Sequence, residues 1–129
     1  MNPEEIQYLK QWLVKAREDK IAVEKLTETS VFAPSVVCFH CQQMAEKYLK
    51  AFLIYHGKEI IKTHDIEYLL AECAEIDTAF SMIDPKNLSD FGVSIRYPDE
   101  LYIPSDEETF EYKSIAFNIE ELVLSRIKS

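Results

Sequence analysis

Two stretches of this sequence carry side chains able to do chemistry. One is Arg96-Tyr97, inside the run SIRYPDELYIP from Ser94 to Pro104. An arginine guanidinium grips a phosphate or carboxylate through two parallel hydrogen bonds, and a tyrosine ring offers a face on which a nucleobase can stack. A plainer reading stands beside it, in which Arg96 pairs with Asp99, Glu100 or another local acid while Tyr97 caps the core. The other stretch is Cys38-Phe39-His40-Cys41, with the outline of a metal or redox motif. It is a single thiol pair inside a helical stretch, whereas structural zinc takes four ligands and a redox pair stands at a strand-to-helix turn. Small thiols at core positions account for it better, and His40 is read as a satisfied interior or interface histidine. No metal site and no cofactor are expected.

The elements that must position these groups are helices. Asn2, Pro3 and Glu5 supply a capping residue, a proline at the first helical position and an acid at the third. Ile6, Leu9, Leu13, Ala16 and Val23 recur at helical spacing, with Trp12 and Leu26 widening the stripe. A first helix is predicted from about Asn2 to Glu28. After a break at Thr29, Ser30 and Pro34, a second helix runs to Tyr55 and His56, where Gly57 supplies a left-handed stop. Its face is wide: Val37, Cys41, Met44, Tyr48, Ala51 and Tyr55 form one stripe, and Cys38, Ala45, Leu49, Phe52 and Leu53 a second. A helix apolar over that arc packs on two neighbours. Thr63 can cap a third helix, with Asp65 in its first turn and Ile66, Leu69, Leu70, Cys73 and Ile76 inward.

Asp84 and Pro85 start a short helix that Gly92 can end, and Pro98 and Pro104 keep the next stretch irregular. Ser105 and Glu108 form a capping box for the last helix, which carries Tyr112, Ile115, Ala116, Ile119, Leu122, Val123 and Ile127 inward. No alternation demands a strand, and no repeat or linker divides residues 1–129. The expected fold is all-α, an up-and-down helical bundle of four main helices plus one short helix, in one domain.

Composition narrows the function classes. An apolar fraction of 47% excludes disorder, and 2 glycines and 5 prolines among 129 residues leave few places to turn. Acids outnumber bases 23 to 14, for a formal charge of -9. General nucleic-acid binding runs on cationic contacts to phosphate, so no coat for DNA or RNA is expected. Three cysteines, Cys38, Cys41 and Cys73, do not make the framework of a disulfide-stapled secreted domain. No apolar run approaches the roughly 18 to 20 residues of a membrane span, and MNPEEIQYLKQWL lacks the layout of a secretion signal. A cytoplasmic address with no membrane partner is the expectation.

With the second helix in view, FHCQQMAEKYLKAFL from Phe39 to Leu53 resembles the HEPN family. Gln42, Gln43, Glu46, Lys47 and Lys50 fall where that family's Gln-Gln, Glu-Lys and Lys-Ala signature falls. Trp12 to Asp19 is similar to the family's first helix, Thr63-His64-Asp65 to the opening of its third, and Arg96-Tyr97-Pro98 to a loop motif of its short members. The resemblance implies a bundle that is commonly a homodimer and often acts beside a minimal nucleotidyltransferase in toxin and antitoxin pairs. It also implies two roles, metal-independent ribonuclease or nucleotide binder without cleavage.

HEPN nucleases carry Arg, four to six intervening residues, then His. Here those positions after Arg96 are Leu101, Tyr102 and Ile103, and no histidine follows His64. The usual pair, a proton-moving imidazole and a phosphate-stabilising guanidinium, is therefore incomplete, and no catalytic residue is assigned. In an up-and-down bundle the end of the second helix, the start of the third and the Arg96 loop share one pole. His56, His64, Arg96 and Tyr97 would then form a nucleotide or anion cup, although His64 has the alternative of a local first-turn hydrogen bond. Gln42, Gln43, Glu46, Lys47 and Lys50 are expected to line a nucleotide cleft or a dimer seam, with plain solvated surface as the competitor. Three functions follow: a dimeric module binding a nucleotide or a nucleotidyltransferase protein, a ribonuclease toxin using Arg96 with an unconventional base such as His64, or a purely structural dimer.

Overall fold

A computed structural model describes residues 1–93 and 102–127. Among them lie four α-helices, α1 (Pro3–Leu26), α2 (Pro34–Tyr55), α3 (Ile66–Ile76) and α4 (Asp106–Arg126), with two 3-10 turns, Thr78–Met82 and Leu88–Phe91, and no strand. The class is the all-α bundle that the apolar stripes predict.

Each helix start has a local cause. Asn2 accepts the Glu5 amide at 2.8 Å while the Glu5 carboxylate accepts the Asn2 amide, and Ser105 and Glu108 repeat this exchange at α4. Two otherwise orphaned amides are satisfied at each end. α2 begins on Pro34 without a side-chain cap and stops at Gly57, whose φ of +73° is a conformation that costs other residues a Cβ clash. α3 departs from expectation, since Asp65 rather than Thr63 is the cap. Asp65 accepts the Tyr68 amide at 3.1 Å, and Thr63 Oγ1 accepts the amide of Asp65 itself, so the helix opens two residues late. The predicted short helix from Asp84 to Gly92 is likewise only the turn Leu88–Phe91. Lys86, with φ of 49°, cannot continue a right-handed helix from Pro85.

Cross-helix contacts give each helix its direction. Leu9 packs with Ala51 and Ile54, while Asp19 meets His40 and Lys47, so α1 and α2 are an antiparallel hairpin. Cys38 lies against Thr109 and Tyr48 bonds Glu120, so α4 runs with α2. α3 also runs with α2: His64 meets Glu46, Cys73 donates to the Leu49 carbonyl at 3.6 Å, and Phe80 stacks on Phe52 at 4.5 Å. The up-and-down reversal belongs to α1 and α2; the linker from Gly57 to Asp65 then carries the chain back along α2 before α3 starts.

α2 is thereby walled on several sides. Val37, Cys38, Cys41, Met44, Ala45 and Leu49 are each 0% exposed. Cys38, Cys41 and Cys73 are free thiols within this core, and burial pushes them up, Cys38 to about 11 and Cys73 to about 12. They serve as packing, not as nucleophiles. Among the described residues, no helix is long and apolar enough to cross a membrane.

Candidate functional site

Gln42, Glu46 and Lys50 stand one turn apart on α2, at 0%, 5% and 5% exposure. A solvated surface is thus not where these residues of the helix signature lie. Burying an amide, a carboxylate and an ammonium together is tolerable only if each finds partners, and each does. Glu46 Oε2 accepts from Lys50 Nζ at 2.9 Å. Glu46 Oε1 accepts from Gln42 Nε2 at 3.1 Å and faces His64 Nδ1 at 2.7 Å. The Gln42 amide also donates to the His64 carbonyl at 3.0 Å, and its oxygen accepts from Gln43 at 2.7 Å. Gln42 thus clamps both the backbone of His64 and the carboxylate that holds its ring.

Two consequences follow for chemistry. Burial pushes the Glu46 carboxyl up, but hydrogen bonds from Lys50, His64 and Gln42, with the Lys50 charge, outweigh it and hold the group below its ordinary value. Glu46 is therefore a carboxylate at neutral pH and only an acceptor, so His64 Nδ1 carries the proton of their shared bond. Nε2 is the ring nitrogen left for a ligand, and the His64 side chain is 66% exposed. The alternative of a purely local first-turn bond does not describe this histidine, since its ring partner is eighteen residues away.

The turn Leu88–Phe91 is stapled onto the same place. Ser89 Oγ accepts the Ile66 amide at 2.8 Å and donates to Glu67 at 2.7 Å. Gly92 follows, and a Cβ there would stand 3.1 Å from Gln42 Nε2 and 3.2 Å from His64 Cβ. A glycine lets the chain pass this close.

Lys47 and His40 belong to a neighbouring cluster that ties α1 to α2. Asp19, 7% exposed, takes Lys47 Nζ at 2.6 Å and His40 Nδ1 at 2.8 Å. His40 is thus a satisfied histidine at a helix interface.

The structure does not bring His56 to His64. His56 closes α2, its ring 4.5 Å from that of Phe52, and its charge helps Arg126 hold the Asp77 carboxyl low. Asp77 stands at the far end of α3 from His64. At 1.5 Å per residue, His56 lies about 15 Å beyond Glu46 along α2. The single cup predicted from a shared pole is corrected for this residue, because α3 runs with α2 and not against it. Arg96 and Tyr97 lie outside the described residues.

A third buried carboxylate, Glu120, accepts from Tyr48 at 2.8 Å and pairs with Lys20 at 2.7 Å. Neither Asp19 nor Glu120 stood out among the candidates. Both look like ordinary charges on amphipathic helices, and the only hint was their place beside inward-facing positions.

The sequence profile of the HEPN domain matches residues 9–128. The chain belongs to the HEPN family. Searches of curated proteins and of solved structures found no significant match.

Proposed function

We propose that this HEPN protein is a nucleotide-binding and partner-binding module that takes a phosphate at His64, with Arg96 and Tyr97 completing the site. In this proposal it works as a homodimer beside a minimal nucleotidyltransferase in a toxin-antitoxin-like pair, without the usual HEPN nuclease pair. The observation that carries the ligand half is the exposed imidazole of His64, held at 2.7 Å by a carboxylate that is itself 5% exposed. A ring fixed by its buried partner loses little entropy on meeting an anion. Gly92, where an added Cβ would stand 3.2 Å from His64 Cβ, is four positions before Arg96 in the sequence. Gln43 and Lys47, both half-buried, border the same stripe and are the residues proposed for a dimer seam.

Calorimetric titration with ATP, GTP and AMP tests this. Saturable heat with at least one of them, weakened about ten-fold or more in His64→Ala and in Arg96→Ala, is expected. Absence of heat with all three overturns the ligand assignment. Light scattering on the pure protein checks the homodimer, and a monomer at micromolar concentration counts against it.

One observation favours a second reading. A histidine whose Nδ1–H is fixed on a carboxylate is oriented to accept a proton at Nε2. In that reading His64 takes the ribose hydroxyl proton while Arg96 stabilises the phosphate, and the protein is a ribonuclease toxin. RNA cleavage lost in both His64→Ala and Arg96→Ala would establish it; cleavage unchanged in both would end it.

A further inference from the structure

We infer that the hollow between α3 and the Thr78–Met82 turn is a docking groove for a cationic amphipathic helix of a partner protein. This surface is independent of the nucleotide reading of His64.

α3 is apolar on more than the side it gives to α2. Leu69 and Cys73 point into the core, where Cys73 meets the Leu49 carbonyl. Leu70, Ala71 and Ala74 instead form a wall with Phe80 and Ile83 around a hollow of about 460 Å³. Leu70 and Phe80 are its buried floor, while Ala71 is exposed. The hollow is open and not enclosed, unlike a cavity that swallows most of a small ligand. Met82, next to Ser81 of the lining, is 85% exposed and adds a flexible thioether of the kind that suits adaptable binding surfaces.

Charge decides the occupant. Glu67 and Glu75 stand on the rim, about 12 Å apart along α3. Glu67 accepts a hydrogen bond from Ser89. Among the described residues neither glutamate forms an ion pair, and no lysine or arginine lines the hollow. The nearby cations are engaged elsewhere: Lys86, beside Pro85 of the lining, meets Glu111, and Arg126 holds Asp77 at the end of α3. An acidic partner would be repelled here, and a wholly apolar one would cover two carboxylates without pairing them. An apolar anchor flanked by cations satisfies both the hollow and its rim. The walls also decide the conformation of that partner. They are side chains of a helix and a 3-10 turn, and among the described residues no strand edge stands ready to pair an extended peptide. A helix satisfies its own backbone and offers apolar residues at i, i+3, i+4 and i+7. Lying along α3, it reaches Glu67 and Glu75 together with two basic residues about two turns apart.

The probe is a dye-labelled helical peptide with leucine at i, i+3, i+4 and i+7 and lysine on the flanks; its control carries glutamate in place of lysine. Fluorescence anisotropy against the full chain should show saturable binding of the lysine peptide, about ten-fold or more tighter than the control and weakened by salt. Ala71→Glu puts a charge into the apolar seat and should weaken the lysine peptide about ten-fold or more. Attraction to net charge alone would be strengthened by that change. Glu75→Lys should weaken the lysine peptide about five-fold or more and tighten the control. Ala71 and Glu75 are exposed, so both variants should keep their helices, as circular dichroism checks. If the lysine peptide does not bind, or binds both variants as tightly as the wild type, the inference is overturned. It is overturned as well if the free chain sediments as a dimer that Ala71→Glu dissociates, because a second copy then fills the groove.

Discussion

Glu46 and Glu120 are built from nearly the same parts and end differently. Both carboxylates are buried, at 5% and 7% exposure, and both take a lysine ammonium, Lys50 at 2.9 Å and Lys20 at 2.7 Å. Each then takes an aromatic-ring partner, His64 for Glu46 and Tyr48 for Glu120. Tyr48 is 2% exposed. Burial first, then its bond to Glu120, pushes the phenol far above its ordinary value, so it stays a donor. Nothing on that arm reaches solvent, and Glu120 acts as a strut between α2, α1 and α4. The His64 arm reaches solvent, and it has one more clamp, Gln42. The same charge chemistry thus makes a strut when its last member is buried and a candidate site when its last member is exposed.

Deleting each carboxylate is the hardest test of that contrast. Glu46→Ala leaves the buried Lys50 ammonium without its carboxylate, with only the Trp12 ring face 5.5 Å away, and should cost about 3–5 kcal/mol in urea unfolding. Glu120→Ala should cost less, about 1–3 kcal/mol, because Lys20 is 25% exposed and can turn to water. If the Glu120 change costs as much as the Glu46 change, the two clusters are not distinguished by how far each ammonium is from solvent.

Acid sharpens the contrast. The folded state holds Glu46 below its unfolded value of 4.5. Its contribution is therefore complete above that value and is lost as pH falls through the lowered folded value. Between pH 6 and 3 the wild type should lose more stability than Glu46→Gln, which starts lower but has no such carboxylate to protonate. Equal losses in both proteins, followed by urea midpoints, would show that Glu46 gains nothing from its partners. Tyr48→Phe should cost roughly 0.5–1.5 kcal/mol, the worth of one hydrogen bond, since Lys20 still holds Glu120.

What could be seen in the sequence follows the range of the forces involved. The caps at Asn2 and Ser105 and the stop at Gly57 depend on residues within one turn, and each stands where its local pattern puts it. At α3 the local pattern points to Thr63 as the cap with Asp65 in the first turn, whereas the backbone places Asp65 where it reaches the Tyr68 amide. Gln42, Glu46 and Lys50 were visible as a signature and His64 as a lone imidazole. Their junction was not, because it depends on the direction of α3, which no local periodicity encodes. That same direction moves His56 away from His64. Asp19 and Glu120 were hidden for a related reason: a helix-surface acid becomes a buried acid only when a neighbouring helix covers it.

A small stability effect carries the most information about function. His64→Ala removes a side chain that is 66% exposed and leaves Glu46 with Lys50 and Gln42. Such a change removes one hydrogen bond and little buried area, and should move the unfolding free energy by about 0.5–1.5 kcal/mol. The matching truncation in the other cluster, Tyr48→Ala, empties a buried ring position and should cost about 3–5 kcal/mol. A strut cannot lose its last member cheaply, whereas a binding residue can, because its partner is a ligand and not the fold. Unfolding curves for the two alanine variants, measured beside nucleotide calorimetry on His64→Ala, therefore separate the roles. Should His64→Ala unfold the protein as readily as Tyr48→Ala, His64 is a structural histidine with an exposed edge, and the difference between the two carboxylate clusters is only one of solvent access.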